Sequence, residues 1–439
     1  MNIMHRNDNA TVFPSTLSAP KCSEGTVPFK VRGETTRHEV SVMSEAERVE
    51  EAPSTGRVAL VLQGGGALGA YQVGAYQALD EAGYCPTWFA GTSIGAINAA
   101  IMAGNARERR LEKLDEFWRT VGRSPLMMPP DGPARRVFNA WSAWQTMALG
   151  QPGFFGWRPT YPWFALPGNA AAISFYDTRP LRSTLEKVVD LDRINDDRAV
   201  RLSVGAVNVR TGRQVYFDSL RQKIAYEHIM ASGALPPAFP PIEIDGEWYW
   251  DGGIVSNTPL DVIIDQLPRR STLCFMVDLF DSMGPSPRVM EDVEARRKDI
   301  MYASRSERSI EAHRLQHNLR RAIMALWDAL SPEAQKDPHL NQLADLGCTT
   351  TMHIVRIVHR SEPGELATKD YEFSSVSVSD HRRAGYQDTM QILENPTWLR
   401  PLPPDMGVIL HELPRPLDNG RVADRQTAGA GSFLAARAE

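Results

Sequence analysis

The chain of 439 residues has neither a long apolar run nor a cysteine framework. Its four cysteines are scattered singly, without a Cys-x-x-Cys pair, so a disulfide scaffold and a structural zinc site are not expected. About eighteen successive apolar residues would indicate a membrane span, and no such run occurs. Residues 1–20 are polar and charged where a secretory signal has its apolar core. We therefore expect a cytoplasmic protein, while export without a signal peptide stays an open alternative.

An excess of basic charge is also absent. Lys and Arg number 48 against 53 Asp and Glu, which gives a formal net charge of −5. No global positive field favours a nucleic-acid partner, so we expect none. Hydrophobic residues make up 42% of the chain and charged residues 23%, which excludes a wholly disordered or collagen-like protein.

Composition divides the chain into four parts. Residues 1–55 and 411–439 are polar or small without periodicity, which predicts mobile tails, the first of them disordered. Residues 56–270 alternate short apolar runs with helix-period segments and predict the main domain. Residues 271–410 begin with a strand-like run and continue with a long, charged, helix-period segment. This part predicts a largely helical C-terminal extension, to which the sequence assigns no role.

The start of the main domain predicts a parallel α/β layer. Val58–Leu62 is a short apolar run of the kind found in buried strands, and three glycines follow it directly. The next segment has helical periodicity and ends at Gly83, a typical C-cap residue. Trp88–Ala90 predicts a second strand, and Ile94–Ala103 predicts a second helix. The order strand, helix, strand, helix indicates a parallel sheet flanked by helices.

A candidate nucleophile lies between the second strand and the second helix, in the sequence Gly91-Thr92-Ser93-Ile94-Gly95. A G-x-S-x-G elbow turns so tightly that its flanking residues must be small, and it raises the Ser hydroxyl above the sheet. In this strand-turn-helix context the pattern predicts that Ser93 is a nucleophile. A plain glycine-rich turn is the alternative.

A second glycine-rich turn follows the first strand, with the sequence Gly64-Gly65-Gly66-Ala67-Leu68-Gly69. Successive backbone N–H groups in such a loop can bind a phosphate or the oxyanion of an acyl-transfer intermediate. Gly64, Gly66 and Gly69 also fit the G-x-G-x-x-G pattern of dinucleotide-binding folds. That pattern needs an acidic residue at the end of the second strand, where this chain has the serine elbow. A nucleotide-binding oxidoreductase is therefore the less favoured alternative.

The third motif is the turn Trp250-Asp251-Gly252-Gly253. By itself it indicates only a loop whose Asp accepts backbone N–H groups. Together with the serine elbow and the glycine loop, however, it resembles the patatin-like phospholipases, a family of lipid acyl hydrolases with a Ser/Asp dyad. The resemblance covers about residues 57–270. It includes the stretch Ala-Ser-Gly-Ala-Leu-Pro-Pro-Ala-Phe-Pro at 231–240, which is similar to a stretch of that family.

This resemblance implies a three-layer α/β hydrolase of patatin type with a mainly parallel central sheet. It implies Ser93 as the nucleophile, Asp251 as the base, and phospholipid or lysophospholipid as the substrate of a phospholipase A or lysophospholipase. No metal and no cofactor are implied. The oxyanion-binding N–H groups are expected from Gly64, Gly65, Gly66 and Ile94, and the remaining motif glycines are Gly69, Gly91, Gly95, Gly252 and Gly253.

Two positions depart from the family pattern. Many members have an Asp before the glycines and an Arg or Lys within the loop, where this chain has Gln63 and Leu68. Without a cation in the loop, we expect oxyanion stabilisation to come from N–H groups and the helix dipole.

A Ser-His-Asp triad is the main alternative to the dyad. His353, His359 and His381 follow the elbow in the chain, but none lies in a recognisable catalytic turn. A triad would suit an esterase or thioesterase acting on soluble acyl groups. A catalytically inactive scaffold recruited to membranes is a further alternative.

Two segments are candidates for peripheral membrane contact. One is basic on one face, with eight Lys and Arg between 296 and 321, and a solvated helix face is the favoured interpretation. The other is aromatic and forms either an acyl-binding or interfacial surface or an ordinary secondary core. Its nine aromatic residues are Phe138, Trp141, Trp144, Phe154, Phe155, Trp157, Tyr161, Trp163 and Phe164.

Overall fold

The structure is a computed structural model. It describes residues 57–125, 132, 134–196, 200–361, 365–399 and 406–413, with two short strands beyond them. The tail expected at 1–55 lies outside the described residues. Most of the tail expected at 411–439 does so too.

The elements of the described residues alternate between strands and helices through most of the chain. The strands are β1 (Val58–Leu62), β2 (Trp88–Thr92), β3 (Gly150–Gln151), β4 (Phe155–Trp157), β5 (Tyr176–Asp177), β6 (Arg201–Asn208), β7 (Gln214–Asp218), β8 (Ile242–Ile244), β9 (Glu247–Asp251), β10 (Thr272–Asp278), β11 (Met352–Val358), β12 (Val408–Glu412), β13 (Arg415–Pro416) and β14 (Val422–Ala423). The helices are α1 (Ala70–Glu81), α2 (Ile94–Ala103), α3 (Arg107–Val121), α4 (Ala134–Leu149), α5 (Arg179–Val188), α6 (Leu191–Asp196), α7 (Tyr226–Ser232), α8 (Asp261–Ile264), α9 (Met290–Asp328), α10 (Pro338–Ala344) and α11 (Ser375–Leu393).

A mainly parallel sheet forms the centre of the molecule. Its strand order is β12-β11-β10-β1-β2-β6-β9-β8, with β7 paired to β6. The strands from β12 to β6 pair in parallel, whereas β7, β8 and β9 are antiparallel to their neighbours. The predicted mainly parallel sheet is confirmed. Since β10, β11 and β12 extend this sheet, the boundary expected at residue 270 runs through one continuous sheet.

Helices cover both faces of the sheet. The side chains of β1 point alternately to the two faces and are apolar on both, so both faces must be covered. Leu60 and Leu62 point to one face, where they belong to a core cluster with residues of α1, α2 and α3. Ala59 and Val61 point to the other face, where their cluster includes residues of α8 and α9. Successive side chains of a strand point to opposite faces, so a strand buried on both faces is apolar throughout. The three-layer α/β architecture is confirmed.

The C-terminal segment packs tightly against the start of the main domain. Helix α11 lies against α1, and a Cβ added at Gly74 or Gly385 would overlap with the backbone of the other helix. Glycine at both positions therefore allows the two backbones to approach closely. No helix in the described part of the chain is both long and apolar enough to cross a bilayer.

Candidate active site

The serine elbow has the strained backbone that the motif predicts. Ser93 joins β2 to α2 with φ 56° and ψ −127°, a conformation that costs a non-glycine residue about 1–3 kcal/mol. A Cβ at position 91 would overlap with the Gly95 carbonyl, and a Cβ at position 95 would overlap with that of Leu62. Both glycines are therefore required by contacts within the turn.

Ser232 holds the elbow from behind. Its buried hydroxyl accepts a hydrogen bond from the Ser93 N–H at 2.9 Å and donates one to the Gly205 carbonyl at 2.6 Å. These bonds connect the turn after β2 to the neighbouring strand β6. Sequence analysis noted the Ala-Ser stretch at 231–232 but gave Ser232 no role. Its partner is 139 positions away in the chain.

Asp251 ends β9 and lies beside Ser93, because β9 pairs with β6 and β6 pairs with β2. Its carboxyl is 2% exposed and accepts a hydrogen bond from the Gly253 N–H at 2.7 Å. Burial raises the pKa of this carboxyl from 3.8 to about 7, although its interactions with the Ser93 hydroxyl and the Gly253 N–H lower it in part. A carboxyl with this pKa can take up a proton near neutral pH.

The glycine loop presents only part of the expected set of N–H groups. The Gly64 N–H donates to the Asn257 carbonyl at 3.1 Å, and the Asn257 amide donates back to the Gly64 carbonyl at 2.9 Å. This N–H is therefore not available to an oxyanion, contrary to the expectation for Gly64. Among the described residues, the N–H groups of Gly65, Gly66 and Ile94 have no backbone or side-chain acceptor.

Gln63 fixes the loop where many family members have an acidic residue. Its side-chain oxygen accepts hydrogen bonds from the N–H groups of Leu279 and Phe280, at 2.6 and 3.2 Å. Its amide donates to the Thr258 hydroxyl at 3.0 Å. The uncharged side chain thus ties the end of β1 to the end of β10, and the loop needs no buried carboxylate for its position.

Ser93 and Asp251 face a pocket with largely aromatic walls. The walls combine residues of the main domain with residues beyond 270, so the C-terminal segment is part of the site. The apolar and aromatic lining residues are Ile94, Phe154, Phe155, Leu235, Phe239, Phe280, Tyr302, Tyr371 and Phe373.

The aromatic segment at 138–164 is divided between pocket and surface. Phe154 and Phe155 are buried in the pocket wall. Trp141, Trp163 and Phe164, in contrast, are exposed by 55%, 76% and 84%. The segment is thus part pocket wall and part exposed surface.

The basic segment has partners within the protein. Lys298 pairs with Asp370 at 2.7 Å, and Arg296 donates to backbone carbonyls of residues 281 and 282. Arg297 and Arg314 pair with Glu294 and Glu311 on the same helix. These contacts favour the interpretation of the segment as an ordinary helix face.

The three candidate triad histidines lie outside the described lining of the pocket. His353 contacts His411, with 3.0 Å between Nδ1 and Nε2. His359 and His381 both contact Glu365. The geometry therefore brings Ser93 together with Asp251 rather than with a histidine.

Family models match most of the region that builds this site. The model of the patatin-like phospholipases matches residues 60–264, and a second model, described as Patatin phospholipase, matches residues 300–405. The chain belongs to the patatin-like phospholipases. The glycine loop, the elbow and Asp251 all lie within the first match.

Among known proteins, this patatin-like chain is similar to Lysophospholipase nte1 of Aspergillus terreus, with 28% identity over 46% of this chain and 10% of that protein. It is also similar to human Patatin-like phospholipase domain-containing protein 6, with 24% identity over 50% of this chain and 13% of that protein. The chain thus spans about a tenth of the length of these curated relatives. Among solved structures, VipD from Legionella pneumophila matches with 18% identity and a TM-score of 0.35, over 77% of this chain and 66% of VipD.

Proposed function

We propose that the protein hydrolyses carboxylic esters of phospholipids or lysophospholipids through an acyl-enzyme on Ser93. The observation that carries this proposal is a strained serine elbow beside a buried carboxyl, both of which line an aromatic pocket. Strain at a nucleophile persists only where the surrounding structure maintains it, and it is typical of active sites.

In the proposed reaction, Asp251 takes the proton of the Ser93 hydroxyl as its oxygen attacks the ester carbonyl. The N–H groups of Gly65, Gly66 and Ile94 stabilise the resulting oxyanion. Collapse of this intermediate expels the alcohol, which takes the proton from Asp251 and leaves the acyl group on Ser93. Water then attacks the acyl-enzyme with Asp251 again as the base, and the fatty acid leaves. As the fatty acid leaves, Asp251 returns the proton taken from water to the Ser93 oxygen, which restores the Ser hydroxyl and the carboxylate. These steps use no metal and no cofactor.

The pocket walls support a lipid as the substrate. Phe155 packs against Phe239 and Tyr176, with ring centroids 5.1 and 4.8 Å apart, and Phe154 packs against Phe373. Such walls bind an acyl chain through apolar area and offer little to a charged nucleotide. A soluble acyl ester or thioester is the second candidate, because the same chemistry would serve it.

We also propose that the exposed aromatic residues near the pocket contact the membrane. The Tyr176 hydroxyl donates to the Met147 carbonyl of α4 at 2.5 Å, so the pocket wall adjoins the helix that exposes Trp141 and Trp144. Trp163 stacks edge-on with Phe175, the neighbour of Tyr176. Trp and Tyr favour membrane interfaces, where their rings meet apolar and polar groups at once. This arrangement would bring the pocket mouth to the lipid.

A lipid panel tests the proposed activity. Purified protein is incubated with vesicles of diacyl phospholipid, with lysophospholipid and with a soluble short-chain thioester, and fatty acid and lysolipid products are resolved by mass spectrometry. We expect release of fatty acid from the lipids by the wild type and none by Ser93→Ala. The control is Ser219→Ala, which removes a hydroxyl that accepts the Leu202 N–H and is not among the described lining residues of the pocket. If the protein turns over the thioester alone, the assignment of a lipid substrate is wrong. If Ser93→Ala is as active as the wild type, Ser93 is not the nucleophile.

A further inference from the structure

A buried cluster outside the proposed active site brings two histidines and one glutamate together. His359 follows the end of β11, His381 lies on α11, and Glu365 belongs to the segment between them. The His359 Nε2 lies 3.0 Å from Glu365 Oε1, and the His381 Nε2 lies 3.3 Å from the same oxygen. The ligand atoms that the three side chains offer all lie within 4.8 Å of one another. The histidines are 1% and 7% exposed.

These distances fit a tetrahedral metal ion. Zn²⁺ binds histidine nitrogen and carboxylate oxygen at about 2.0–2.2 Å, which places neighbouring ligands about 3.3 Å apart in a tetrahedron. Two of the three separations, 3.0 and 3.3 Å, are close to this value, and the third is within 4.8 Å. Two histidines and one glutamate also form a donor set found in zinc sites with an open fourth position.

Space for a fourth ligand adjoins the cluster. Glu365 and His381 line a cavity of about 110 Å³, together with Glu372 and Ser377. A water needs only about 10–15 Å³ measured in the same way, so the cavity has room for one or more. A water in this cavity, beside Glu365 and His381, can thus supply a fourth ligand.

The protein alone leaves polar atoms of this cluster without hydrogen bonds. The Oε2 atom of Glu365 is buried and has no hydrogen-bond partner in the described part of the chain. The Nδ1 atoms of His359 and His381, which have none there either, would stay unpartnered with an ion on Nε2. The Lys369 ammonium, 3.6 Å from Glu365 Oε2, also pairs with Asp299 at 2.8 Å. One ammonium is shared by these two carboxylates, and a dication at the other oxygen of Glu365 would add favourable positive charge there.

We infer that His359, Glu365 and His381 bind a divalent transition-metal ion, with Zn²⁺ the ion that their donors fit best. This inference does not depend on the proposed hydrolysis, since none of the three ligands faces Ser93. The ion would join β11 to α11 through the segment that begins at Glu365.

That segment leads directly to the proposed active site. Asp370 lies so close to the glycine loop that a Cβ at Gly66 would overlap with its carbonyl, and Tyr371 and Phe373 line the acyl pocket. The ion would therefore hold one wall of the pocket in place, and its role is structural rather than catalytic.

A metal titration of the full chain tests the site. Protein is stripped with a chelator, dialysed, and titrated with Co²⁺ alone while visible absorption is recorded, and then with Zn²⁺ in calorimetry. We expect the absorption of tetrahedral Co²⁺ at one equivalent, displaced by Zn²⁺, and a rise in Tm with Zn²⁺. Loss of one ligand in Glu365→Gln or His381→Gln should weaken this binding by more than about 100-fold, beyond what loss of a supporting residue costs.

The matched control is His353→Gln, because His353 belongs to another buried histidine pair, with His411. This variant should keep the Co²⁺ spectrum and the Tm response. Near-UV circular dichroism of each variant shows whether it is folded. Because Gln has nearly the same size and shape as Glu, Glu365→Gln still tests the site if His381→Gln does not fold. An unchanged Tm with Zn²⁺, or equal binding by the wild type and Glu365→Gln, would overturn the inference.

Discussion

Asp251 gives a prediction in which stability and activity change in opposite directions. Its carboxyl is buried, no cation of the described residues is among the causes of its pKa shift, and burial raises this pKa from 3.8 to about 7. Asp251→Asn replaces it with a neutral group of nearly the same shape, whose oxygen can still accept the Gly253 N–H. The variant should therefore lose turnover, because the base is gone, and gain stability, because no charge has to be buried.

The size of the gain follows from proton linkage. Below about pH 4 the carboxyl is protonated in both the folded and unfolded chains, so Asp and Asn should be equally stable. Between about pH 4 and 7 the unfolded chain releases this proton and the folded chain keeps it, so the wild type loses stability as pH rises. The difference between the pKa of about 7 and 3.8 corresponds to about 4 kcal/mol, which is the expected advantage of the variant above pH 7.

Urea denaturation of both proteins at pH 4, 5.5, 7 and 8 measures this advantage. The control is Asp218→Asn, which removes a buried carboxylate paired with Arg201 at 2.7 Å. That variant should lose about 3–5 kcal/mol, because it leaves a buried guanidinium unpaired. If Asp251→Asn is less stable than the wild type at pH 8, or gains the same amount at every pH, the reasoning from desolvation is refuted.

Three further predictions follow from the pocket and its surroundings. With Asp251 as the base, kcat/KM should fall about tenfold per pH unit below its pKa of about 7, and a flat profile between pH 5 and 7 would argue against it. Replacing Trp163 and Phe164 by Ser should weaken vesicle flotation and turnover of vesicle lipid while sparing a soluble ester. The exposed-site control Leu326→Ser should change neither, and equal losses on both substrates would indicate a folding defect. Gly66→Ala should abolish most turnover with normal circular dichroism, since φ is 56° and a Cβ would displace the loop; full activity would exclude this loop from the oxyanion site.

Sequence patterns predicted the local parts of the structure well. The elbow at Ser93 could be predicted because its requirements lie within a few residues: the overlap that excludes a side chain at Gly91 involves Gly95. Strands β1 and β2 and helix α2 are strongly apolar and have turn residues at their ends, so their positions also followed from local sequence.

Contacts between distant segments were not predictable from the same patterns. The Gly64 N–H is engaged by Asn257, 193 positions away, so a motif that identifies the loop cannot tell which of its N–H groups stay free. Phe280 and Phe373 reach the pocket only because later strands extend the sheet that β1 begins. For the same reason, the strand-like run after residue 270 could be predicted, but not that it pairs with β1 and continues the sheet.

The central claim, that Ser93 is a nucleophile activated by Asp251, is tested most directly by labelling with a serine-directed fluorophosphonate. Peptide mass spectrometry locates the adduct, and the labelling rate is compared among Asp251→Asn, His353→Gln, His359→Gln and His381→Gln. The account predicts an adduct on Ser93 alone, formed at least about 100-fold more slowly in Asp251→Asn and at a near-normal rate in His353→Gln. In His359→Gln and His381→Gln, which would disturb only a wall of the pocket, the rate should fall by much less than about 100-fold. A normal labelling rate in folded Asp251→Asn would contradict the account. A folded histidine variant that is labelled about 100-fold more slowly than the wild type would contradict it too.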